Sequence, residues 1–401
     1  MKKVVYVFTS ASLVSGSVQK KVINQIRTLN SSGCICKGLF FTTENIENTN
    51  LTEADFIQVE KIEGSLFRSS KQRTAYHKAV FGYFQKYTDF DFIYYRYPGA
   101  HRYLLLLMEK LERKVFFEHI TAETKEIKLY RYENEFKWNV SSILSYLEFY
   151  ILPLFREWYY GAKIRKKAAF GICNSEDIAT YEKQMAGGTY PTLVAGDAVN
   201  ANDYKIKANS ELDDEFRMVF LKGAATQADF NGIDRLLKGM AAYRGSTKLK
   251  LYLRGGNLLS ETRLASHLGI SGLIDFGGHI NKENADLLFD SIHLGIGALA
   301  VHRKGLKSTT TIKSREYFAR GLPFVFGHHD PDLSDSPEAL RFCKQIPAND
   351  GPMDLEEVIN WYNNLNYSKE IADEMHAFSL KYLDYNVKMQ RLVFFKEHLN
   401  I

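Results

Sequence analysis

Cysteine is scarce in this chain, and long hydrophobic runs are absent. Only four cysteines occur in 401 residues, at 34, 36, 173 and 343. Four are too few for a disulfide framework, and Cys34 and Cys36 form a CxC pair with no second pair to complete a metal site. A reduced cytosol fits this usage. No run approaches the roughly 20 apolar residues that a membrane span requires. Lys2 and Lys3 precede only a short strand-like stretch without a cleavage-type site, so no signal peptide is expected at the start. Two Asp-x-Asp pairs, Asp89-Phe90-Asp91 and Asp330-Pro331-Asp332, are poorly placed for a divalent cation. The first precedes its strand, and the second lies in a turn-like stretch. No metal site and no bound cofactor are expected.

What is present is ordinary for a soluble globular protein: 45% hydrophobic and 25% charged residues. The length suits two domains of about 200 residues each. Charge is uneven. Residues 1–200 carry 27 Lys+Arg against 21 Asp+Glu, and residues 201–401 carry 25 against 26. A basic N-terminal half suggests an anionic partner there.

Lys3–Phe8 reads as a buried strand, followed by a small-residue loop, a helix from about Val18 to Leu29, and a second strand, Cys34–Phe41. This is a βαβ unit of a doubly wound sheet. Gly16 stands at the helix start, where a loop can approach a ligand, although the glycine pattern is too sparse for a dinucleotide fingerprint. Strands are also expected at Phe92–Tyr97, Lys114–Phe117 and Ala169–Asn174. The fourth of these five strands, Lys114–Phe117, delivers Glu118 and His119 to its C-terminal end. Lys61–Lys86 mixes six basic residues with aromatics, and Glu135–Lys167 is long, aromatic and basic towards its end. Either stretch could meet acidic headgroups, and either could be a helix packed on its own sheet.

The second half repeats the pattern with five strands: Phe216–Leu221, Leu249–Leu253, Leu273–Phe276, His293–Leu299 and Leu322–Phe326. They end near Lys222 and Gly223, near Arg254, and near His279. The most informative stretch is Lys313–Val325, KSREYFARGLPFV. Ile312–Arg320 reads as a helix stopped by Gly321 and Pro323. Ser308, Thr309, Thr310 and Thr311 precede it, Lys313 and Ser314 lie in its first turn, and Glu316 follows. Amides, hydroxyls and a lysine at a helix N-terminus suit a phosphate, and Glu316 suits a sugar hydroxyl.

This segment resembles the nucleotide-sugar signature of family-4 glycosyltransferases, and the resemblance extends more weakly over nearly the whole chain. It implies a GT-B fold, in which two doubly wound Rossmann-like α/β domains face each other across a cleft. The domains would be an acceptor domain, residues 1–195, a nucleotide-sugar domain, 196–375, and a terminal helix, 376–401, packing back on the first. Thr192–Tyr204, with Asp197, Val199 and Asn200, resembles the family's interdomain segment. By the same resemblance His119, with Glu118, would contact the transferred sugar and Glu316 would hold the donor ribose. Departures are clear. The arginine and lysine expected to clamp the diphosphate are replaced by Ala224 and Asn231, and Ser308 replaces the first of two glutamates. Lys222, Arg254 and Lys313 are the cations left. The implied activity is retaining transfer from a nucleotide diphosphate sugar, UDP-linked in preference with GDP-linked as the alternative, to a glycan or lipid-linked hydroxyl in cell-surface polysaccharide or glycoconjugate synthesis. Nucleic acid is not an expected partner. Peripheral contact with the inner face of a membrane through the basic first domain is a further expectation, beside a purely cytoplasmic placement. A catalytically silent partner subunit of the same fold and a nucleotide-sugar 2-epimerase are the alternatives.

Overall fold

A computed structural model describes residues 1–9, 17–42, 57–62, 70–111, 113–133, 140–207, 214–223 and 229–389. The chain divides into two compact units, Met1–Ala195 with Lys388–Ile401, and Gly196–Val387.

In the first unit, the described residues form a seven-stranded parallel sheet. Its strands are β1 (Lys2–Thr9), β2 (Cys34–Thr42), β3 (Ile57–Lys61), β4 (Phe92–Arg96), β5 (Val115–His119), β6 (Phe170–Cys173) and β7 (Thr192–Val194). Their order is β3-β2-β1-β4-β5-β6-β7. The chain winds outward from β1 in one direction and then returns to wind outward in the other, as right-handed crossovers require in a doubly wound sheet. Val4 to Phe8 are buried on both faces, which is why β1 reads as an unbroken apolar run. The basic stretch beginning at Lys61 contains the helix Ser70–Lys86, which buries Tyr76, His77, Val80 and Phe84. Lys71, Lys78 and Lys86 point to solvent. The stretch from 140 to 167 is helical throughout, with two π segments, Leu147–Ile151 and Glu157–Gly161.

The second unit holds a six-stranded parallel sheet: β8 (Glu215–Lys222), β9 (Lys248–Gly255), β10 (Ile274–Gly277), β11 (Leu294–Ile296), β12 (Phe324–Phe326) and β13 (Cys343–Gln345). The order β10-β9-β8-β11-β12-β13 repeats the doubly wound plan. Phe216, Met218 and Phe220 of β8 join one core cluster, and Val219 joins the other on the opposite face. The expected five strands are therefore six, with β13 added at one edge.

The expected terminal segment 376–401 divides differently. Phe378 and Leu383 are part of the second unit's core. Ala201 N donates to Asp384 Oδ2 at 3.1 Å, and Tyr385 N donates to Val199 O at 3.0 Å. These bonds tie residues as far as Val387 to the second unit. The apolar residues from Leu392 to Phe395 lie outside the described residues, as do Gly16 and Ala224. No described helix is long and apolar enough to cross a membrane.

Candidate functional site

Doubly wound sheets bind ligands beyond the carboxyl ends of their strands, where the winding reverses. In the second unit that point lies between β8 and β11. The loops leaving these strands meet there: Leu299 N donates to Asn231 O at 3.0 Å and Ala300 N to Phe230 O at 3.1 Å. Gly232 makes the turn possible. Its φ is +66°, and a Cβ there would come within 2.9 Å of Leu299 Cβ.

The helix Ile312–Arg320 starts beside this point and has the bounds its sequence implies. Thr311 caps it, its side chain accepting from Ser314 N at 3.4 Å, with Ser314 Oγ at 2.9 Å from the same hydroxyl. Gly321, at φ 69°, ends it in the left-handed conformation. A Cβ at Gly321 would also meet the Ala372 backbone at 2.7 Å, so close packing and φ both demand glycine. Tyr317 lies against Gly295, where a Cβ would stand 2.8 Å from its ring, and donates its hydroxyl to Ile296 O at 3.1 Å. The Tyr-Phe-Ala-x-Gly pattern therefore joins the helix to β11.

Lys313 extends from the first turn to the switch point. Its Nζ donates to Asn231 Oδ1 at 3.1 Å and lies 4.1 Å from the centre of the Phe220 ring. Burial pushes its pKa down to about 7. An ammonium desolvated in this way gains from an anion more than one already paired with a carboxylate.

Glu316, one turn on, is partly buried. Its Oε1 accepts from Arg320 Nε at 3.0 Å, and Arg320 Nη1 donates to Asp286 Oδ1 at 2.5 Å. Arg320 stacks against Tyr204 and Phe289, so one face of Glu316 is fixed by a rigid cation.

The hydroxyls before the helix do more structural work than an anion site alone would need. Thr310 Oγ1 accepts from Asp197 N at 2.8 Å. Ser308 pairs with His329 in an isolated parallel bridge, and Thr309 N donates to His329 O at 3.1 Å. Two of the three candidate cations are also committed elsewhere. Lys222 Nζ, fully buried, donates to Glu261 Oε1 at 2.6 Å and to Asn257 O at 2.8 Å. Arg254 grips Asp275, with Nη2 on Oδ2 at 3.0 Å and Nη1 on the carbonyl at 2.7 Å. Gly223 is exposed just past β8, and His279 is exposed after β10. Of the three cations, Lys313 is the one with no carboxylate partner among its described contacts.

Sequence reasoning missed Arg315. It is fully buried and pairs with both Asp330 and Asp332, with Nη2 on Asp330 Oδ1 at 2.9 Å and Nε on Asp197 O at 3.1 Å. The Asp-x-Asp carboxylates thus already have their counter-ion. The co-occurrence of a buried-side arginine and an Asp-x-Asp was the only available signal.

The first unit departs from expectation. β5 delivers Glu118 and His119 to its C-terminal end, but both side chains are buried, His119 completely. Glu118 accepts from Gln25 Nε2 at 3.0 Å and lies 3.1 Å from Lys21 Nζ. Burial would raise its pKa, but Lys21, Arg96 and Gln25 outweigh burial and hold it below the usual carboxylate range. His119, on the opposite face, has Nε2 3.2 Å from Tyr190 Oη and Nδ1 3.2 Å from Glu182 Oε1. Burial would lower its pKa, but Glu182 and Glu123 raise it to about 9. Both side chains are held in buried ion networks. Among the described residues, His119, Glu123 and Glu182 have ligand atoms within 4.8 Å of one another, the spacing of a metal site. Arg165 fills the cation's role there, with Nε on Glu182 at 2.5 Å, Nη2 3.5 Å from Glu123 and Nη1 3.1 Å from Glu157.

No protein-family model matches the chain, and no curated protein sequence matches it. Solved structures do. Sucrose-phosphate synthase from Thermosynechococcus elongatus is similar with a TM-score of 0.68 over 100% of both chains, at 12% identity. A glycosyltransferase from Rickettsia africae gives 0.64 over 99% of this chain and 98% of its own, also at 12% identity. HepE from Anabaena, solved with UDP and glucose, gives 0.61 over 99% and 100%, at 14% identity. Likeness at such identity concerns the backbone, and on that ground this chain has the GT-B fold, built from two doubly wound α/β units.

Proposed function

We propose that this protein transfers a glycosyl group from a nucleotide diphosphate sugar, UDP-linked in preference to GDP-linked, to a hydroxyl of a glycan or lipid-linked acceptor in cell-surface polysaccharide or glycoconjugate synthesis, in the cytosol. The observation that carries the reading is Lys313. It is a desolvated ammonium in the first turn of a helix, at the switch point of a doubly wound sheet, with Glu316 one turn away. The helix amides and Lys313 would hold the diphosphate, and Glu316 would accept from a ribose hydroxyl. Complexes of the similarly folded HepE with UDP and with UDP-glucose support this choice of donor.

Transfer would keep the anomeric configuration, as the family-4 resemblance implies. The bond from the anomeric carbon to the diphosphate oxygen breaks, and a bond to the acceptor oxygen forms on the same face. The acceptor proton passes to the leaving phosphate. The protein's share is to neutralise that phosphate and to orient the acceptor. Thermal unfolding with a panel of UDP- and GDP-sugars tests the reading, because a ligand that binds only the native state raises the transition by mass action. A panel without any shift would remove it.

One observation favours a second reading. Lys222 and Arg254 are paired with Glu261 and Asp275, so less cationic charge is available for a diphosphate than the fold can offer. A catalytically silent partner subunit would bind no nucleotide, and calorimetry with UDP separates the two.

A further inference from the structure

The long helix spanning residues 140–167 has two unlike sides. Its inner side carries Pro153, Glu157, Gly161, Ile164 and Arg165, all buried. Glu157 accepts from Ala100 N at 2.6 Å and from the Tyr97 hydroxyl at 3.1 Å, and Arg165 holds Glu182, so this side is firmly attached. The outer side is apolar. Val140, Leu144, Leu147, Ile151, Phe155 and Trp158 follow one another at steps of three and four, the repeat of a single helix stripe, with Ile143 and Tyr159 beside them. Trp158 is 74% exposed and Phe155 50%. Together with Phe149, these residues account for nine of the sixteen large hydrophobic side chains that the described chain exposes. Twenty residues of helix make a stripe about 30 Å long, far more contiguous apolar surface than a protein surface carries without a use.

The charges beside the stripe have one sign on the outside. Lys163 and Lys166 are exposed, and Lys163 Nζ lies 4.3 Å from the centre of the Tyr159 ring. Arg156 donates to Ser70 Oγ at 2.7 Å, which brings the start of the helix Ser70–Lys86, with Lys71 and Arg73, alongside. Of the two acids of the long helix, Glu157 points inward and accepts from Ala100 N, and Glu148 sits beside Arg156, engaged by the backbone N–H of Ser70. Leucine, isoleucine and phenylalanine in line, tryptophan and tyrosine at one end, and cations at the margin match the layers of an anionic lipid surface: acyl chains, the carbonyl and headgroup zone, and phosphates.

We infer that the helix Val140–Lys167 lies flat on a bilayer rich in anionic lipid, with its stripe at the acyl boundary and Arg156, Lys163, Lys166 and Lys71 on headgroup phosphates. The inference deepens the reading above, since it would keep a lipid-linked acceptor within reach, but it does not depend on the donor.

Flotation of the full chain with vesicles tests it, using phosphatidylcholine alone and phosphatidylcholine mixed with phosphatidylglycerol. The chain should float with the mixed vesicles, less with the neutral ones, and less as salt is raised. The triple variant Leu147→Asp, Phe155→Asp, Trp158→Asp should lose at least about a hundredfold in partitioning, because three apolar side chains no longer enter the lipid. Its circular dichroism and its thermal shift with UDP, measured without vesicles, should not change. In a Trp138→Phe, Trp361→Phe background, Trp158 fluorescence should move to shorter wavelength on adding mixed vesicles. Equal flotation of wild type and triple variant, or no flotation of either, would overturn the inference. So would a wild-type dimer that the triple variant makes monomeric while vesicles have no effect, since the stripe would then be a contact between copies. A chain that floats but shows no shift with UDP would sink the donor reading and leave this one standing.

Discussion

The ammonium of Lys313 is bonded to the amide oxygen of Asn231, 3.1 Å away, across the face of Phe220. Asn231 stands where the family-4 resemblance leads one to expect a lysine, so here a neutral acceptor faces Lys313. Two ammonium groups here would repel. With asparagine the remaining lysine is oriented, while its burial disfavours the charge. Lys313→Ala should therefore weaken UDP-sugar binding by roughly 10- to 150-fold, the range for losing a hydrogen bond to a charged group. Calorimetric titration would show it, and unchanged affinity would place the diphosphate elsewhere.

The same lysine makes binding depend on protons. Its pKa falls on folding from 10.5 to about 7. Between those values the unfolded chain binds the extra proton, so this residue's contribution to stability rises with pH across that window and is most unfavourable below pH 7. A bound diphosphate would restore the charge. At about pH 8, UDP binding should take up a proton, seen as a dependence of the binding heat on the buffer's ionisation enthalpy, and Lys313→Met should abolish it.

Glu316→Ala should lower donor affinity to a similar degree, roughly 10- to 150-fold, without unfolding the protein. Arg320 retains its bond to Asp286, so the helix end survives the loss of Glu316. Transfer kinetics equal to wild type in a folded variant would refute the ribose role.

Transfer should persist in EDTA, because both carboxylates of Asp330-Pro331-Asp332 are bound by Arg315. Activity lost in EDTA and restored by manganese would contradict this. Arg315→Met should cost about 3–5 kcal/mol in urea unfolding, since it leaves Asp330 buried without its counter-ion.

His119→Gln should destabilise the protein without altering UDP affinity. The pKa of His119 rises on folding from 6.5 to about 9. Its contribution is therefore complete below about pH 6.5 and is lost as pH rises through 9. The stability gap between wild type and variant should close across that window. A gap that stayed constant, or a loss of UDP binding, would argue against a purely structural network.

The helix Ile312–Arg320 was legible to the residue because its signals are local: Thr311 to cap it, Gly321 to stop it. Central strands were legible for the same reason, as short apolar runs. Three edge strands were not. β3 alternates partly buried and exposed positions, β7 has three residues, and β13 carries a lysine between a buried cysteine and an exposed glutamine. At the site, residue types were legible and partners were not. Lys222 meets Glu261 and Arg254 meets Asp275, 39 and 21 positions along the chain, and only the fold decides those pairings. For His119, the strand end was read correctly, but its inward orientation depends on Glu182 arriving from another helix.

The two π segments of the long helix set a phase. Each holds one residue more than α-helical turns would over the same rise, and one residue is about 100° of rotation. Removing the extra residue from Leu147–Ile151 or from Glu157–Gly161 would restore an α-helical turn and leave Val140, Leu144 and Arg165 in phase. Removing one from the α-helical turn Leu152–Arg156 would instead rotate everything beyond it and leave Arg165 on the wrong side for Glu182. Related chains that keep the buried Arg165–Glu182 pair and the outer stripe should therefore carry their single-residue gaps in the two π segments and not in the turn between them.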